Sequence, residues 1–251
     1  MIQASYNQML KEDIEEYNSC ALKWDCENCD RSLCLRIIAI ADFPTRRGHF
    51  NVVGFLNNKD KKDHIMVVKG NVLHGENILT RLHSSCATGD ALGSLRCDCG
   101  DQLDLSLDMI ERQGLGILLY MQQEGRGIGL TNKIRAYMLE DAGEDTYDAN
   151  VDLGFKPDER SYELAAAMLK KFDVRSIRLL TNNPAKITEL ERYGVKIEER
   201  VPIETHPNKY NRAYLETKKT RFGHLLSLRA TTEKPKRSAN HPQIRKIISR
   251  R

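Results

Sequence analysis

Long apolar segments are missing from this 251-residue sequence. No run approaches the roughly 18 apolar residues that a membrane span needs. The polar, acidic N-terminus "MIQASYNQMLKEDIEEYN" also lacks the basic and apolar regions of a secretion signal. We therefore expect a cytoplasmic protein with no membrane partner. Because cytoplasmic thiols stay reduced, the seven cysteines are better explained as metal ligands, reactive groups or small buried residues than as a disulfide framework.

A strong excess of one charge is also missing from most of the chain. The net charge is +4, but residues 229–251 carry eight Lys/Arg and one Glu, which leaves 31 basic and 34 acidic residues elsewhere. The sequence therefore predicts a nearly neutral body and a basic tail. A solvated chain end is the favoured interpretation of this tail, and contact with nucleic acid is the less favoured one.

Internal repeats and long linkers are absent, so one core is expected for a chain of this length. Strand patterns come first ("LRIIAIADF", "HFNVVGFL", "DHIMVVKG", "ENILTRLH"), and helix-like segments alternate with short apolar runs afterwards. This order predicts a mixed α/β domain over residues 35–226. A cysteine-rich N-terminal extension (1–34) precedes it, and a basic tail that we expect to be mobile (227–251) follows.

Three cysteines lie close together in the polar segment "CATGDALGSLRCDC". Cys86, Cys97 and Cys99 have C-x10-C-x-C spacing, and thiolates are soft ligands that suit zinc. A structural zinc site is normally closed by a fourth ligand, whereas three protein ligands leave one position for water, which indicates a catalytic site. A cytidine-type deaminase is the natural alternative, but its H-x-E and P-C-x-x-C motifs are missing.

A second group of thiols lies near the N-terminus. Cys20, Cys26, Cys29 and Cys34 have C-x5-C-x2-C-x4-C spacing, which is sufficient for a second metal ion but matches no standard zinc finger. The sequence leaves open whether this group binds metal.

Three further motifs carry groups that suit phosphate. "QQEGRGIGL" follows an apolar run and contains Arg126, "DLGFKPDER" contains Asp158 and Arg160, and "LLTNNPAKI" places Thr181 and Lys186 at a strand-to-helix turn. Each motif has an ordinary explanation when taken alone: a turn, a surface ion pair and a capped helix.

Taken in order along the chain, these motifs resemble those of GTP cyclohydrolase II, an enzyme family of riboflavin biosynthesis. The resemblance rests on "RLHSSCATGDALGSLRCDCGDQLD", "QQEGRGIGLTNKIRAY", "DLGFKPDER", "LLTNNPAK" and "YLETKKTRFGHLL", and it runs from about Leu35 to Leu226. It implies a single GTP cyclohydrolase II-like catalytic domain over residues 35–226 and a homodimer.

The resemblance also implies a reaction. Family members use zinc and water to open the imidazole ring of GTP, and they release formate and, with Mg²⁺, pyrophosphate. The product is 2,5-diamino-6-(5-phosphoribosylamino)pyrimidin-4(3H)-one. Cys86, Cys97 and Cys99 would hold one zinc ion per chain. The positions that match GTP contacts of the family are Arg81, Leu82, His83, Ser84, Ser85, Gln102, Glu124, Gly125, Arg126, Thr146, Thr181 and Lys186.

Three more positions match residues with catalytic roles in the family. Asp158 corresponds to a proton acceptor, Arg160 to a nucleophile towards the α-phosphate, and Tyr137 to a tyrosine near the base. A guanidinium with a pKa above about 12 is a poor nucleophile at neutral pH. Stabilisation of charge at the phosphate is therefore an equally reasonable role for Arg160.

One position departs from the family pattern. The family usually has Glu immediately before the first zinc cysteine, and this sequence has Ser85. The alternative function is therefore a homologue that opens a guanine nucleotide ring for a specialised pathway and retains the formyl group. A metal-binding nucleic-acid or regulatory module is the third possibility, but it explains none of the central motifs.

Overall fold

The computed structural model describes residues 2–19 and 32–228. These residues build a mixed α/β fold around a seven-stranded sheet with the strand order β1-β2-β3-β5-β4-β6-β7, which confirms the predicted fold class. The strands are β1 (Leu35–Thr45), β2 (Gly48–Asn57), β3 (His64–Lys69), β4 (Ile78–Ser84), β5 (Gly116–Met121), β6 (Ile177–Leu180) and β7 (Ile197–Val201). The helices are α1 (Ile2–Ser19), α2 (Cys99–Gln113), α3 (Leu130–Asp141), α4 (Thr146–Asp152), α5 (Glu163–Lys171), α6 (Pro184–Arg192) and α7 (Arg212–Arg221).

The sheet changes from antiparallel to parallel at β5. Strands β1, β2, β3 and β5 pair antiparallel, whereas β4 pairs parallel with both β5 and β6, and β6 pairs parallel with β7. Side chains of β5 alternate between two buried layers, with Ile117 and Leu119 on one face of the sheet and Leu118 on the other. Burial on both faces explains why "LGILLYM" is a continuous apolar run rather than an alternating one.

Helices cover both faces of the sheet. Tyr6 of α1 and Leu164 of α5 belong to the larger apolar cluster, while Ile110 of α2 belongs to the smaller one. Helix α2 ends where Gly114 adopts a left-handed conformation with φ 71°, which only glycine enters without steric cost. This helix connects the cysteine segment to β5, so its position determines where two of the three thiols lie.

Helix α1 packs on the sheet although it lies in the predicted N-terminal extension. Tyr6 is completely buried and its hydroxyl donates to the carbonyl of Gly70 at 2.9 Å. The buried Asp13 carboxylate accepts a hydrogen bond from the Ile37 N–H at 2.6 Å. The two boundaries between the three predicted segments stay predictions.

Parts of two sequence predictions lie outside the described residues. These are Cys20, Cys26 and Cys29 of the second cysteine group, and the basic tail beyond residue 228. Cys34, the fourth member of that group, is buried just before β1, and its N–H donates to Asn58 Oδ1 at 2.7 Å.

None of the helices in the described ranges is long and apolar enough to cross a membrane.

Candidate active site

The predicted motifs converge at the carboxyl ends of β4, β5 and β6. In sheets with parallel strands, the loops after these ends form the usual ligand crevice. Here the segments after Ser84, Met121 and Leu180 line a cavity that is open to solvent. The predicted residues in its wall are Arg81, His83, Ser84, Ser85, Cys86, Cys97, Cys99, Gln102, Glu124, Gly125, Arg126, Tyr137, Thr146, Arg160, Thr181 and Lys186.

Two predicted residues do not line this cavity. The Leu82 side chain is fully buried in the larger apolar cluster, because neighbouring residues of a strand point to opposite faces. Its carbonyl oxygen nevertheless accepts a hydrogen bond from Lys186 Nζ at 2.8 Å. Asp158 lies behind Arg160 and holds that guanidinium through two hydrogen bonds.

Three thiols form a compact cluster in the cavity wall. The sulfur atoms of Cys86, Cys97 and Cys99 all lie within 4.8 Å of one another, and those of Cys86 and Cys97 are 3.7 Å apart. Gly89 makes room for them, since a Cβ at this position would lie 2.8 Å from the Cys97 sulfur. Among the described residues this is the one group of three or more His, Cys, Asp or Glu side chains with metal-ligand proximity. The donor set fits zinc, which prefers thiolate ligands.

The charge on these thiols is unevenly distributed. Hydrogen bonds from Cys97 and Cys99, together with the Lys133 ammonium, lower the pKa of Cys86 and favour its thiolate. The same contacts with Cys86 raise the pKa of Cys97 to about 11 and also raise the pKa of Cys99. Three thiolates at such short distances repel one another, so a bound cation is what would stabilise all three together.

Lys133 of α3 connects the thiol cluster to the loop after β5. Its ammonium donates to Cys86 Sγ at 3.0 Å, to Thr88 Oγ1 at 2.8 Å and to Glu124 Oε1 at 2.8 Å. The second oxygen of Glu124 accepts from the Ala87 N–H at 2.6 Å. Sequence reasoning missed Lys133, although "NKIRAY" was part of the motif that carried the resemblance.

Tyr137 and His83 add two groups that hold protons. The Tyr137 hydroxyl lies 3.3 Å from Thr88 Oγ1, and burial raises its pKa. His83 Nε2 lies 3.0 Å from the Asp90 carboxylate, whose same oxygen accepts from the Tyr120 hydroxyl at 2.9 Å. Burial lowers the pKa of His83, and its Nδ1 is buried without a hydrogen-bond partner among the described residues. His83 is therefore held as a neutral imidazole with one unused nitrogen.

A second wall of the cavity carries fixed positive charge. Arg160 donates to Asp158 through Nε at 2.8 Å and through a terminal nitrogen at 2.5 Å. Burial opposes the charge of Arg160, but Tyr162 and this two-point contact raise its pKa. For Asp158, burial is likewise outweighed by the bonds from Arg160, which lower its pKa. Both groups are charged at neutral pH.

Arg126 lies in a strained turn after β5. Gly125 and Arg126 both have left-handed backbones, with φ 59° and 60°, and the Arg126 guanidinium stacks on the Phe222 ring at 3.5 Å. One of its terminal nitrogens is buried without a partner among the described residues. Strain of this kind in a non-glycine residue is typical of functional turns.

Lys186 and Arg81 add two buried basic side chains to this wall. Lys186 lies in the first turn of α6, and burial, together with Arg81 and Arg160, lowers its pKa well below the ordinary value. Burial also lowers the pKa of Arg81, to about 10, which leaves its guanidinium charged at neutral pH. Arg81 donates to Gln102 Oε1 at 2.6 Å and to the carbonyl of Leu180 at 2.9 Å.

Comparisons with known proteins agree with this arrangement. A family model described as GTP cyclohydrolase II matches residues 36–202. The riboflavin biosynthesis protein RibBA of Phocaeicola vulgatus is 52% identical over 185 residues, which are 74% of this chain and 46% of that protein. RibBA of Chlorobium phaeovibrioides is 49% identical over 197 residues, 78% of this chain and 48% of that protein.

The chain thus spans about half the length of the curated relatives that it matches. Among solved structures, RibBX from A. baumannii, described as a two-domain 3,4-dihydroxy-2-butanone 4-phosphate synthase, has a TM-score of 0.40 at 14% identity and covers 68% of this chain and 41% of its own. The family model covers well over half of the sequence and includes the thiol cluster, the Arg126 turn, the Asp158–Arg160 pair and Lys186. The chain belongs to the GTP cyclohydrolase II family.

Proposed function

We propose that this protein is a zinc-dependent GTP cyclohydrolase II that opens the imidazole ring of GTP, releases formate and pyrophosphate, and forms 2,5-diamino-6-(5-phosphoribosylamino)pyrimidin-4(3H)-one for riboflavin biosynthesis. The observation that carries the proposal is the thiol cluster in the wall of a cavity that Arg81, Arg126, Arg160 and Lys186 also line. A purine triphosphate needs both a site for ring hydrolysis and positive charge for its phosphates, and the presence of thiols and basic side chains in one cavity supports the proposal.

The thiol cluster would hold the metal. Zinc at Cys86, Cys97 and Cys99 would act as a Lewis acid that activates water near neutral pH. Lys133 supports this role by keeping Cys86 in its thiolate form and by fixing Glu124 beside the cluster. Gln102 and Glu124 offer amide and carboxylate oxygens to the donor edge of the purine.

His83 and Tyr137 are the uncharged groups best placed to hydrogen-bond a ligand beside the thiol cluster. The neutral His83 keeps Nδ1 unpaired, so this nitrogen is available to accept a hydrogen bond from a ligand, while its lowered pKa makes it a weak base. Tyr137 orients Thr88 and remains protonated at neutral pH, which makes it a hydrogen-bond donor to a ligand rather than a base.

Arg160 stabilises charge on the triphosphate in this proposal and is not the nucleophile. Its raised pKa leaves no lone pair available at neutral pH. Asp158, whose pKa Arg160 lowers, is a weak base and acts by orienting the guanidinium. The triphosphate would enter with Mg²⁺, whose charge adds to that of the cavity wall when pyrophosphate leaves.

A homodimer is the proposed assembly. Leu130, Ile134 and Met138 are exposed at four-residue spacing on α3 and form an apolar stripe. Leu92 and Leu95 of the cysteine segment are also exposed. Light scattering should detect a dimer that Ile134→Glu, a charge in the middle of the stripe, converts to a monomer; an unchanged mass would exclude this face.

The proposed reaction is tested by incubating the zinc-loaded protein with GTP and Mg²⁺ and assaying formate, pyrophosphate and product mass together. Cys97→Ser, which removes one thiol, serves as the inactive control. We expect all three products from the wild type. A zinc-loaded protein that leaves GTP unchanged would refute the proposal.

The second candidate is a ring-opening enzyme that retains the formyl group. It is favoured by Ser85, where the family has Glu and where the buried Oγ has no partner among the described residues. A product whose mass still includes the formyl carbon, without free formate, would support this candidate over the first.

A further inference from the structure

Helix α7 contributes to the cavity although it lies beyond residues 36–202, the part of the chain that the family model matches. Tyr214 and Lys218 of this helix line the cavity together with the thiol cluster. The chain that follows α7 is held against the loop after β6, because the Leu225 N–H donates to the carbonyl of Asn182 at 2.8 Å. The C-terminal helix is therefore part of the wall of the site.

The strongest contact of α7 with the site is an ion pair. Lys218 Nζ lies 2.5 Å from Asp98 Oδ1, and the two side chains are 10% and 2% exposed. Asp98 stands between Cys97 and Cys99, two of the three clustered thiols. Lys218 thus reaches the cysteine segment from 120 residues further along the chain.

The other oxygen of Asp98 is also occupied. It accepts from Gln102 Nε2 at 2.6 Å, and Gln102 Oε1 in turn accepts from Arg81 at 2.6 Å. The chain of contacts therefore runs from α7 through the C-x-C loop and α2 to β4.

The position of Asp98 makes this arrangement unusual. Asp98 precedes α2 as its N-cap residue, where an aspartate side chain normally accepts a hydrogen bond from the first turn of its own helix. Asp98 makes no such bond. Its carboxylate turns instead to Lys218 and Gln102, so its contacts serve the tertiary structure around the thiols rather than the helix end.

We propose that Lys218 is a positioning residue for the metal site, and that through Asp98 it holds the Cys97–Cys99 loop in the conformation that brings the three thiols together. Without Lys218 the buried Asp98 carboxylate would turn towards solvent and displace the loop, because an unpaired charge in this environment is strongly unfavourable. Outer contacts of this kind tune metal affinity by orienting the ligands. The inference rests on the zinc site of the proposed function.

The first test measures zinc affinity by competition with a chromophoric chelator. Lys218→Met should weaken zinc binding by about 10–100-fold, the usual effect of losing an outer contact of a metal ligand. Lys219→Met is the matched control, because Lys219 is the exposed neighbour on the same helix. Lys218→Arg, which keeps a cation there, should restore most of the affinity.

The second test separates a role through Asp98 from a general loss of structure. In a double-mutant cycle, the zinc affinity of the double variant should equal that of Asp98→Asn alone to within about two-fold, because both substitutions remove the same contact. The double variant leaves no buried charge of this pair without its partner. If Lys218→Met alone does not fold, the double variant can still be compared with Asp98→Asn. The visible spectrum of the Co²⁺-substituted variants should change in the same non-additive way.

The outcomes are distinct. Wild-type zinc affinity in Lys218→Met, or losses that multiply in the double variant, would overturn the inference while leaving the zinc site intact. A wild-type protein that binds no zinc would instead refute the proposed function, and the inference with it.

Discussion

Replacing Lys133 by methionine tests the link between the thiol cluster and the loop after β5. The ammonium is the shared partner of Cys86, Thr88 and Glu124, at distances between 2.8 and 3.0 Å. Methionine keeps the length and the apolar part of the side chain but removes all three hydrogen bonds. We therefore expect both the stability of the fold and the affinity for zinc to fall.

The size of the expected loss of stability follows from the burial of Lys133 and Glu124. Lys133 and Glu124 are 12% and 14% exposed, so their contact resembles a buried ion pair, whose disruption costs about 3–5 kcal/mol. Glu124 retains hydrogen bonds from the backbone N–H groups of Ala87 and Gly125, which compensate part of the loss. We expect the lower end, about 3 kcal/mol, which corresponds to a fall in Tm of about 6–12 °C for a protein of this size.

Thermal melting and zinc competition measure the two effects separately. Thr131→Met, an exposed position on the same helix, is the control that introduces the same side chain without removing the ammonium. Lys133→Met should also lower zinc affinity by about 10–100-fold, since the cation that favours the Cys86 thiolate is lost. A variant with the wild-type Tm and wild-type zinc affinity would show that the network contributes nothing, and the reasoning from its geometry would fail.

Three further predictions concern other parts of the chain. His64 is fully buried, its Nδ1 accepts from the Gln122 N–H at 3.1 Å, and burial lowers its pKa below the ordinary 6.5. The stability that the neutral ring contributes is therefore complete above about pH 6.5 and is lost as the pH falls towards the folded pKa, by at most about 2 kcal/mol at pH 5. Chemical denaturation at pH 7.5 and at pH 5 should therefore show a smaller change in stability with pH for His64→Gln than for the wild type. Gly89→Ala should no longer bind one zinc ion per chain, as measured by elemental analysis, because the new Cβ would lie 2.8 Å from a thiol sulfur. In the control Gly93→Ala the new Cβ has open space but φ is 66°, so this variant should lose about 1 kcal/mol of stability and keep its zinc. Arg160→Gln should lower kcat by about 100- to 1000-fold and Arg160→Lys by less, because lysine preserves the charge; equal losses in steady-state assays would contradict a charge-stabilising role.

The sequence was sufficient to predict those parts of the site whose residues lie close together within one segment of the chain. Cys86, Cys97 and Cys99 were recognisable because ligand spacing within one segment is visible in the sequence. The strands that carry the motifs were recognisable as short apolar runs with turn-forming residues around them. Pairing between the strands then brings the ends of β4, β5 and β6 together, so separate motifs become neighbours.

The contacts that organise the site were not predictable in the same way. Lys133 reaches Cys86 across 47 residues and Lys218 reaches Asp98 across 120. Neither lysine differs in local pattern from an exposed lysine on a helix surface, and α7 has a strongly polar composition that gives no apolar stripe. Their roles depend on how helices pack against the sheet, which the periodicity of a single sequence does not determine.

Ser85, where the resemblance predicts Glu, lies beside other buried polar groups of the cavity wall. Arg81 and His83 on β4 and Ser85 directly after it are alternate residues of the chain, and each has a buried polar atom without a partner among the described residues. Leaving such groups unpaired costs about 1–3 kcal/mol each, so this face of the strand is suited to a polar ligand that supplies the missing partners. A glutamate at this position would only accept hydrogen bonds and would add a negative charge to a cavity with a cationic wall. A serine both donates and accepts and leaves that charge out, so the substitution changes which ligand atoms can be matched next to the first thiol, where the ring is expected to open. Under the proposed function we therefore expect the product to be sensitive to Ser85, and Ser85→Glu, assayed for formate and product mass, should shift the products only if the serine contacts the reacting ring.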